Sequence, residues 1–85
     1  MFMFYVYIIY SNKIDQYYIG QSGDLENRII NHNNGRSKST KKADDWVLRY
    51  FEEFSTRGFA LKREIEIKKK KSRKYIEQLI LNFTK

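Results

Sequence analysis

Apolar and polar positions follow two different periods along this chain. Residues 4–10 (FYVYIIY) form an unbroken run of aromatic and β-branched side chains, the composition of a strand covered on both faces. Residues 11–15 are polar enough to turn, and residues 17–21 read as the strand that returns from the turn. With a four-residue loop at 11–14, Tyr10 pairs with Asp15 and Tyr7 lies opposite Tyr18, so both phenols leave one face of the sheet. The period then lengthens. Over residues 24–34, Leu25 and Ile29 recur four apart and Ile30 widens the stripe toward a core. That pattern predicts a helix capped by Ser22 or Asp24 and stopped by Gly35. Arg28 and His32 are also four apart and lie one above the other on a neighbouring face.

Residues 35–45 (GRSKSTKKADD) have no apolar periodicity and carry Arg36, Lys38, Lys41 and Lys42, which predicts a mobile basic loop. Residues 46–54 (WVLRYFEEF) give a third strand. A helix starting at Ser55 or Thr56 runs over Ala60, Leu61, Glu64, Ile65 and Lys68, and the lysine run 68–71 marks a junction. Ser72 then caps a last helix, whose apolar face is Ile76, Leu79, Ile80 and Phe83. The expected fold is α+β: a small three-stranded antiparallel sheet flanked by helices, in the order β-β-α-β-α-α. One domain is expected to span residues 1–85.

Composition narrows the class. Eighty-five residues suit one small domain with a modest core, and an aromatic fraction of 16% helps so short a chain to bury area. The absence of cysteine excludes a disulfide framework and a thiolate metal site, and fits a cytoplasmic location. A net charge of +7 points to a polyanionic partner, nucleic acid before a membrane surface. The apolar N-terminal run is too short to span a bilayer. It also lacks the basic n-region and small-residue cleavage site of a signal peptide.

Taken singly, the polar candidates have ordinary explanations. Tyrosine is a common strand residue, a histidine near a helix end usually sits in a satisfied surface position, and Arg28 can pair with Asp24 as Glu64 can with Lys68. Taken together, they meet the needs of phosphodiester hydrolysis. Tyr7 or Tyr18, with His32, can deprotonate or orient water, and Arg28 can neutralise charge developing on the phosphate oxygens. Glu64 can anchor a Mg²⁺ ion whose remaining ligands are waters and phosphate. No other cluster of metal-ligating residue types competes with it.

With these residues the sequence resembles the GIY-YIG endonucleases. The two halves of their signature appear as Tyr5-Val6-Tyr7 and Tyr18-Ile19-Gly20. Ser22-Gly23-Asp24-Leu25, then Arg28, His32 and Gly35, is similar to the family's helix. Ala60-Leu61-Lys62-Arg63-Glu64, with Ile67-Lys68, is similar to its metal-binding segment. The resemblance covers nearly the whole chain and is closest to the small stand-alone bacterial members. It implies that Tyr7 is the general base or water-positioning phenol, Tyr18 its partner, Arg28 the phosphate ligand and His32 an aid to proton transfer. It implies that Glu64 holds a single Mg²⁺ (or Mn²⁺), and that Gly20 lets the backbone pass close to the helix start. Two departures stand out: Tyr5 replaces the signature's first glycine, at a position that serves packing, and Asn82 is a poor match to an asparagine some members carry near the end. The expected function is metal-dependent hydrolysis of DNA, or of RNA, with Arg36, Lys38, Lys41, Lys42, Lys68 and Lys69 holding the strand. The alternatives are a non-catalytic nucleic-acid binder or accessory subunit of the same fold, and a basic domain that binds an acidic protein.

Overall fold

Strand β1 (Phe4–Ser11) runs between β2 (Gln16–Ser22) and β3 (Trp46–Phe54) in an antiparallel sheet of order β2-β1-β3. The computed structural model describes residues 3–83, so the first two residues of the apolar N-terminal run and the last two of the expected domain lie outside it. Three helices, α1 (Leu25–Asn33), α2 (Arg57–Lys70) and α3 (Arg73–Phe83), complete the order β-β-α-β-α-α that the hydrophobic pattern predicts. Val6, Tyr7, Ile8 and Ile9 are fully buried. Alternation divides them between two cores. Val6 and Ile8 pack with Ile19, Tyr50, Ala60 and Ile67, beneath α2 and α3. Tyr7 and Ile9 pack with Ala43 and Trp46, against Leu25 and Ile29 of α1. Among the described residues no helix is long and apolar enough to cross a membrane.

The hairpin register differs from the expected one. Tyr7 opposes Gly20, Tyr18 opposes Ile9, and Ser11 pairs with Gln16, so the loop is residues 12–15. Ser11 is held in the strand from far along the chain: its hydroxyl donates to Asp45 Oδ1 at 2.5 Å, and the other oxygen of that carboxylate accepts from the Lys13 amide at 2.9 Å. Asp15 closes the loop with φ 52°, a left-handed conformation that Asp tolerates better than most residues. Because the register moves by two residues, every side chain keeps its face, and Tyr7 and Tyr18 remain on the same side.

Helix α1 starts where Asp24 accepts a hydrogen bond from the Asn27 amide. It ends in a Schellman turn: Gly35 takes φ 73°, its amide bonds to the His32 carbonyl, and the Arg36 amide bonds to that of Asn31. The inward side is Leu25, Arg28, Ile29 and His32, whereas Ile30, expected to widen the apolar stripe, is 49% exposed. Residues 35–45, expected to be a mobile loop, are tied down instead. Thr40 and Ala43 are buried, the Trp46 indole donates to the Thr40 carbonyl at 2.9 Å, and the Asn33 side chain bonds both backbone groups of Trp46. A missing period excludes a regular element, but it does not exclude packing by a few small residues.

In α2, capped by Thr56, the inward stripe is Ala60, Arg63, Glu64 and Ile67, at i, i+3, i+4 and i+7. The apolar Leu61 and Ile65 face outward. Arg63 is neutralised in place by Glu52 of β3, at 3.0 Å, and by Glu66. Glu64 instead pairs within the helix, with Lys68. Ser72 caps α3 as expected, and Ile76, Leu79 and Ile80 pack on the same core as α2. Phe83 remains partly exposed, edge-on to Tyr50 and Phe51.

Candidate active site

The middle strand places the Tyr7 phenol against the first layer of helix, and the residue opposite it, Gly20, contributes no side chain to obstruct the ring. His32, in the last turn of α1, meets it: Nε2 lies 2.7 Å from the Tyr7 hydroxyl oxygen. The other ring nitrogen, Nδ1, lies 2.6 Å from Thr40 Oγ1. Arg28, one helical turn before His32, donates through Nε to the same Tyr7 oxygen at 3.4 Å. The Tyr18 ring closes the group, 5.0 Å from the imidazole and 6.5 Å from the Tyr7 ring between centroids.

Burial governs the charge states. It pushes the Tyr7 phenol up to about 12, against the opposing pull of the Arg28 guanidinium. It holds His32 down at about 4, with the Arg28 charge adding to the effect. At neutral pH the pair is therefore a neutral phenol beside a neutral imidazole, and the fixed charge is on Arg28.

Glu64 arrives from the other layer. Helix α2 packs on the opposite face of the sheet, through Ala60 and Ile67, and β2 is an edge strand of that sheet. The Glu64 charge acts on Tyr7, and the Lys68 ammonium lies 5.9 Å from the centre of the Tyr18 ring. Glu64 is only 14% exposed and is ion-paired to Lys68 at 2.6 Å. This is the one-turn pair that an ordinary helical surface would make, formed at the rim of a buried polar cluster.

The structure thus brings Tyr7, Tyr18, Arg28 and His32 together, with Glu64 beside them. They do not line an open cleft: Tyr7 and His32 are fully buried, and only Tyr18, Arg28 and Glu64 are partly accessible. Arg28 bonds to Tyr7, while the Asp24 carboxylate serves the helix cap. Arg36, Lys38, Lys41, Lys42 and Lys69 are exposed and form no ion pair among the described residues. Lys68 is engaged by Glu64. Tyr5 packs edge-on against Phe51, in keeping with a packing role at that position, and Asn82 bonds to Gln78 on the exposed side of α3. Thr40 was not legible as a site residue, because a threonine in an aperiodic basic segment carries no signal of its partner.

Among the described residues no three His, Cys, Asp or Glu side chains converge into a metal site. One partly accessible carboxylate, with the substrate's own oxygens and water, is nevertheless a donor set that Mg²⁺ accepts. The residues therefore fit a single, substrate-assisted ion at Glu64, provided that Lys68 releases the carboxylate.

This arrangement, two signature tyrosines on a hairpin and an Arg/His pair on the following helix, defines a class. Residues 3–76 match the family model of the GIY-YIG catalytic domain, and the chain belongs to that family, whose members are in general nucleases. It is 48% identical over 65 residues to a UPF0213 protein of Staphylococcus saprophyticus, a match covering 75% of this chain and 78% of that protein. A UPF0213 protein of Staphylococcus epidermidis is 43% identical with the same coverage, and one of Haloquadratum walsbyi is 42% identical over 75% of this chain and 72% of its own. No solved structure gives a significant match.

Proposed function

We propose that this protein is a metal-dependent endonuclease that hydrolyses phosphodiester bonds in DNA. The observation that carries this reading is the hydrogen-bonded set around the Tyr7 oxygen, which joins an activatable phenol, a neutral proton acceptor and a fixed cation, with a carboxylate at its rim. In this reading Tyr7 orients water on the scissile phosphorus and takes its proton as the phenol's own proton passes to His32 Nε2. The water oxygen bonds to phosphorus as the bond from phosphorus to one sugar oxygen breaks, and that leaving oxygen takes a proton from solvent. Arg28 holds the phosphate and offsets charge on its oxygens, while its Nε keeps the phenol in place. Tyr18 borders the same phosphate. Glu64 would hold Mg²⁺ or Mn²⁺, which when bound stabilises negative charge developing in the transition state. Arg36, Lys38, Lys41, Lys42 and Lys69 would hold the strand through its phosphates.

A second reading, a non-catalytic nucleic-acid binder of the same fold, is favoured by the burial of Tyr7 and by the Glu64–Lys68 pair. Incubating the protein with linear and branched DNA, with Mg²⁺ and with chelator, separates the two. Cleavage is expected with the metal only, and Tyr7→Phe is expected to slow it about a hundredfold to ten-thousandfold. Salt-sensitive binding without cleavage on every substrate would leave the binder.

A further inference from the structure

Thr40 has no place in the chemistry above, yet it is fully buried and its hydroxyl makes a short contact with the only histidine in the chain. We infer that Thr40 is a positioning residue that fixes His32 as the Nδ1–H tautomer, leaving Nε2 as the proton acceptor that faces Tyr7. The role in proton transfer rests on the nuclease reading, whereas the tautomer itself does not.

Two proton arrangements satisfy the distances. In one, Arg28 Nε donates to the Tyr7 oxygen, the Tyr7 hydroxyl donates to His32 Nε2, and His32 Nδ1–H donates to Thr40 Oγ1. In the other, Thr40 donates to Nδ1 and Nε2–H donates to Tyr7, so the phenol oxygen faces donors from both His32 and Arg28. The guanidinium sets the direction of the chain, and Thr40 Oγ1 sustains it as the acceptor at the far end, without which Nδ1–H has no partner. In a chain of hydrogen bonds each bond polarises the next, and a fixed cation at one end favours every proton pointing away from it. Arg28 stands at the Tyr7 end and Thr40 at the other. The first arrangement points all its protons away from the cation, and the second points two of them toward it. In the first, the phenol proton already lies on the line to Nε2.

The geometry around Thr40 supports a fixed acceptor rather than a chance contact. Its amide bonds to the Ser37 carbonyl at 3.1 Å, its carbonyl accepts from the Trp46 indole at 2.9 Å, and the Ala43 amide bonds to the same carbonyl at 3.2 Å. The backbone is thus anchored on both sides, and the hydroxyl is presented to the imidazole by a rigid support. A second partner that fixes the tautomer of a working histidine is a recurrent device, and its loss costs about tenfold to a hundredfold in well-studied metal sites.

The test is nitrogen NMR on protein labelled with ¹⁵N-histidine. One histidine gives one pair of ring nitrogens, so assignment is immediate. Near neutral pH the wild type is expected to show a protonated Nδ1 and an unprotonated Nε2. Thr40→Ser is expected to keep that pattern, and Thr40→Val, which keeps the shape and removes the hydroxyl, is expected to lose it. An Nε2–H tautomer in the wild type, or an unchanged tautomer in Thr40→Val, would overturn the inference. On DNA, Thr40→Val is expected to cut the cleavage rate about tenfold to a hundredfold with the same DNA affinity, and Thr40→Ser to restore it. A slower Thr40→Val enzyme with an unchanged tautomer would likewise count against the inference. Absence of cleavage by the wild type would remove the nuclease reading while the spectrum still decides the tautomer.

Discussion

Gly20 faces Tyr7 directly in the β1–β2 ladder, and the Tyr7 ring occupies the space of a missing side chain. A Cβ on Gly20 would stand 2.5 Å from the phenolic oxygen, 2.7 Å from Cζ and 3.1 Å from Tyr18 Cε2. The last residue of the second signature tripeptide is therefore a glycine because the last residue of the first needs its place.

An alanine at position 20 has to displace that ring, which is enclosed on every side. Overpacking of this kind costs about 1–3 kcal/mol. Gly20→Ala is expected to lower the melting temperature and to break the Tyr7–His32 contact, with cleavage falling further than stability explains. Thermal melts and cleavage rates on the same preparations measure both effects. An unshifted melting temperature would show that the ring yields without strain.

Lys68 competes with any ion for the Glu64 carboxylate. Lys68→Met is expected to tighten Mn²⁺ binding, read by electron paramagnetic resonance of the free ion, and Glu64→Ala to abolish it. Glu64→Ala is also expected to slow cleavage by about a thousandfold or more, since an ion's charge stabilisation is worth several kcal/mol. DNA affinity should be equal or slightly higher, because a repulsion from phosphate is removed. Undiminished cleavage by Glu64→Ala would end the metal assignment.

Stability should depend on pH through His32. In the unfolded chain an imidazole takes up its proton as pH falls through about 6.5, but in the folded protein His32 resists until about 4. Between those values the unfolded state binds more protons, so stability falls as pH falls. Asp15, Asp44 and Asp45 are held below the ordinary carboxylate range by their hydrogen bonds and cations, so their contributions are lost only at lower pH. Urea melts from pH 7 to pH 4.5 should show the decline, and His32→Gln should flatten it. A flat wild-type profile would contradict a neutral buried imidazole.

The exposed cations of the segment before β3 should set the salt dependence of binding. Each phosphate neutralised by a side chain contributes a slope of about −0.9 in log affinity against log salt on duplex DNA. Replacing Arg36, Lys38, Lys41 and Lys42 with Ser is expected to flatten that slope by this amount for every phosphate that no longer meets a cation. Lys68→Ser alone should change it less, because Lys68 is already paired. Fluorescence anisotropy across a salt series gives the slopes. An unchanged slope in the fourfold variant would place the DNA elsewhere.

What was legible in the sequence was local or periodic. The apolar run of β1, the spacing of Leu25 and Ile29, a cap at Ser22 or Asp24, a helix start at Ser55 or Thr56, the cap Ser72, and the glycine after α1 specify their elements through backbone sterics and near-neighbour hydrogen bonds, without reference to the rest of the chain. The common face of Tyr7 and Tyr18 was legible too, because strand alternation survives the two-residue change in register. The tertiary structure decided what depends on distant partners. Asp45 sets the hairpin register by holding Ser11, 34 residues away, and the buried Thr40 gives His32 its second partner. Packing on the sheet turned Glu64 inward and left Leu61 and Ile65 outside, against their hydropathy. A polar side chain carries no period that names its partner. Only closure of both helical layers on one sheet brings Glu64, Tyr7, Arg28 and His32 within reach of one another.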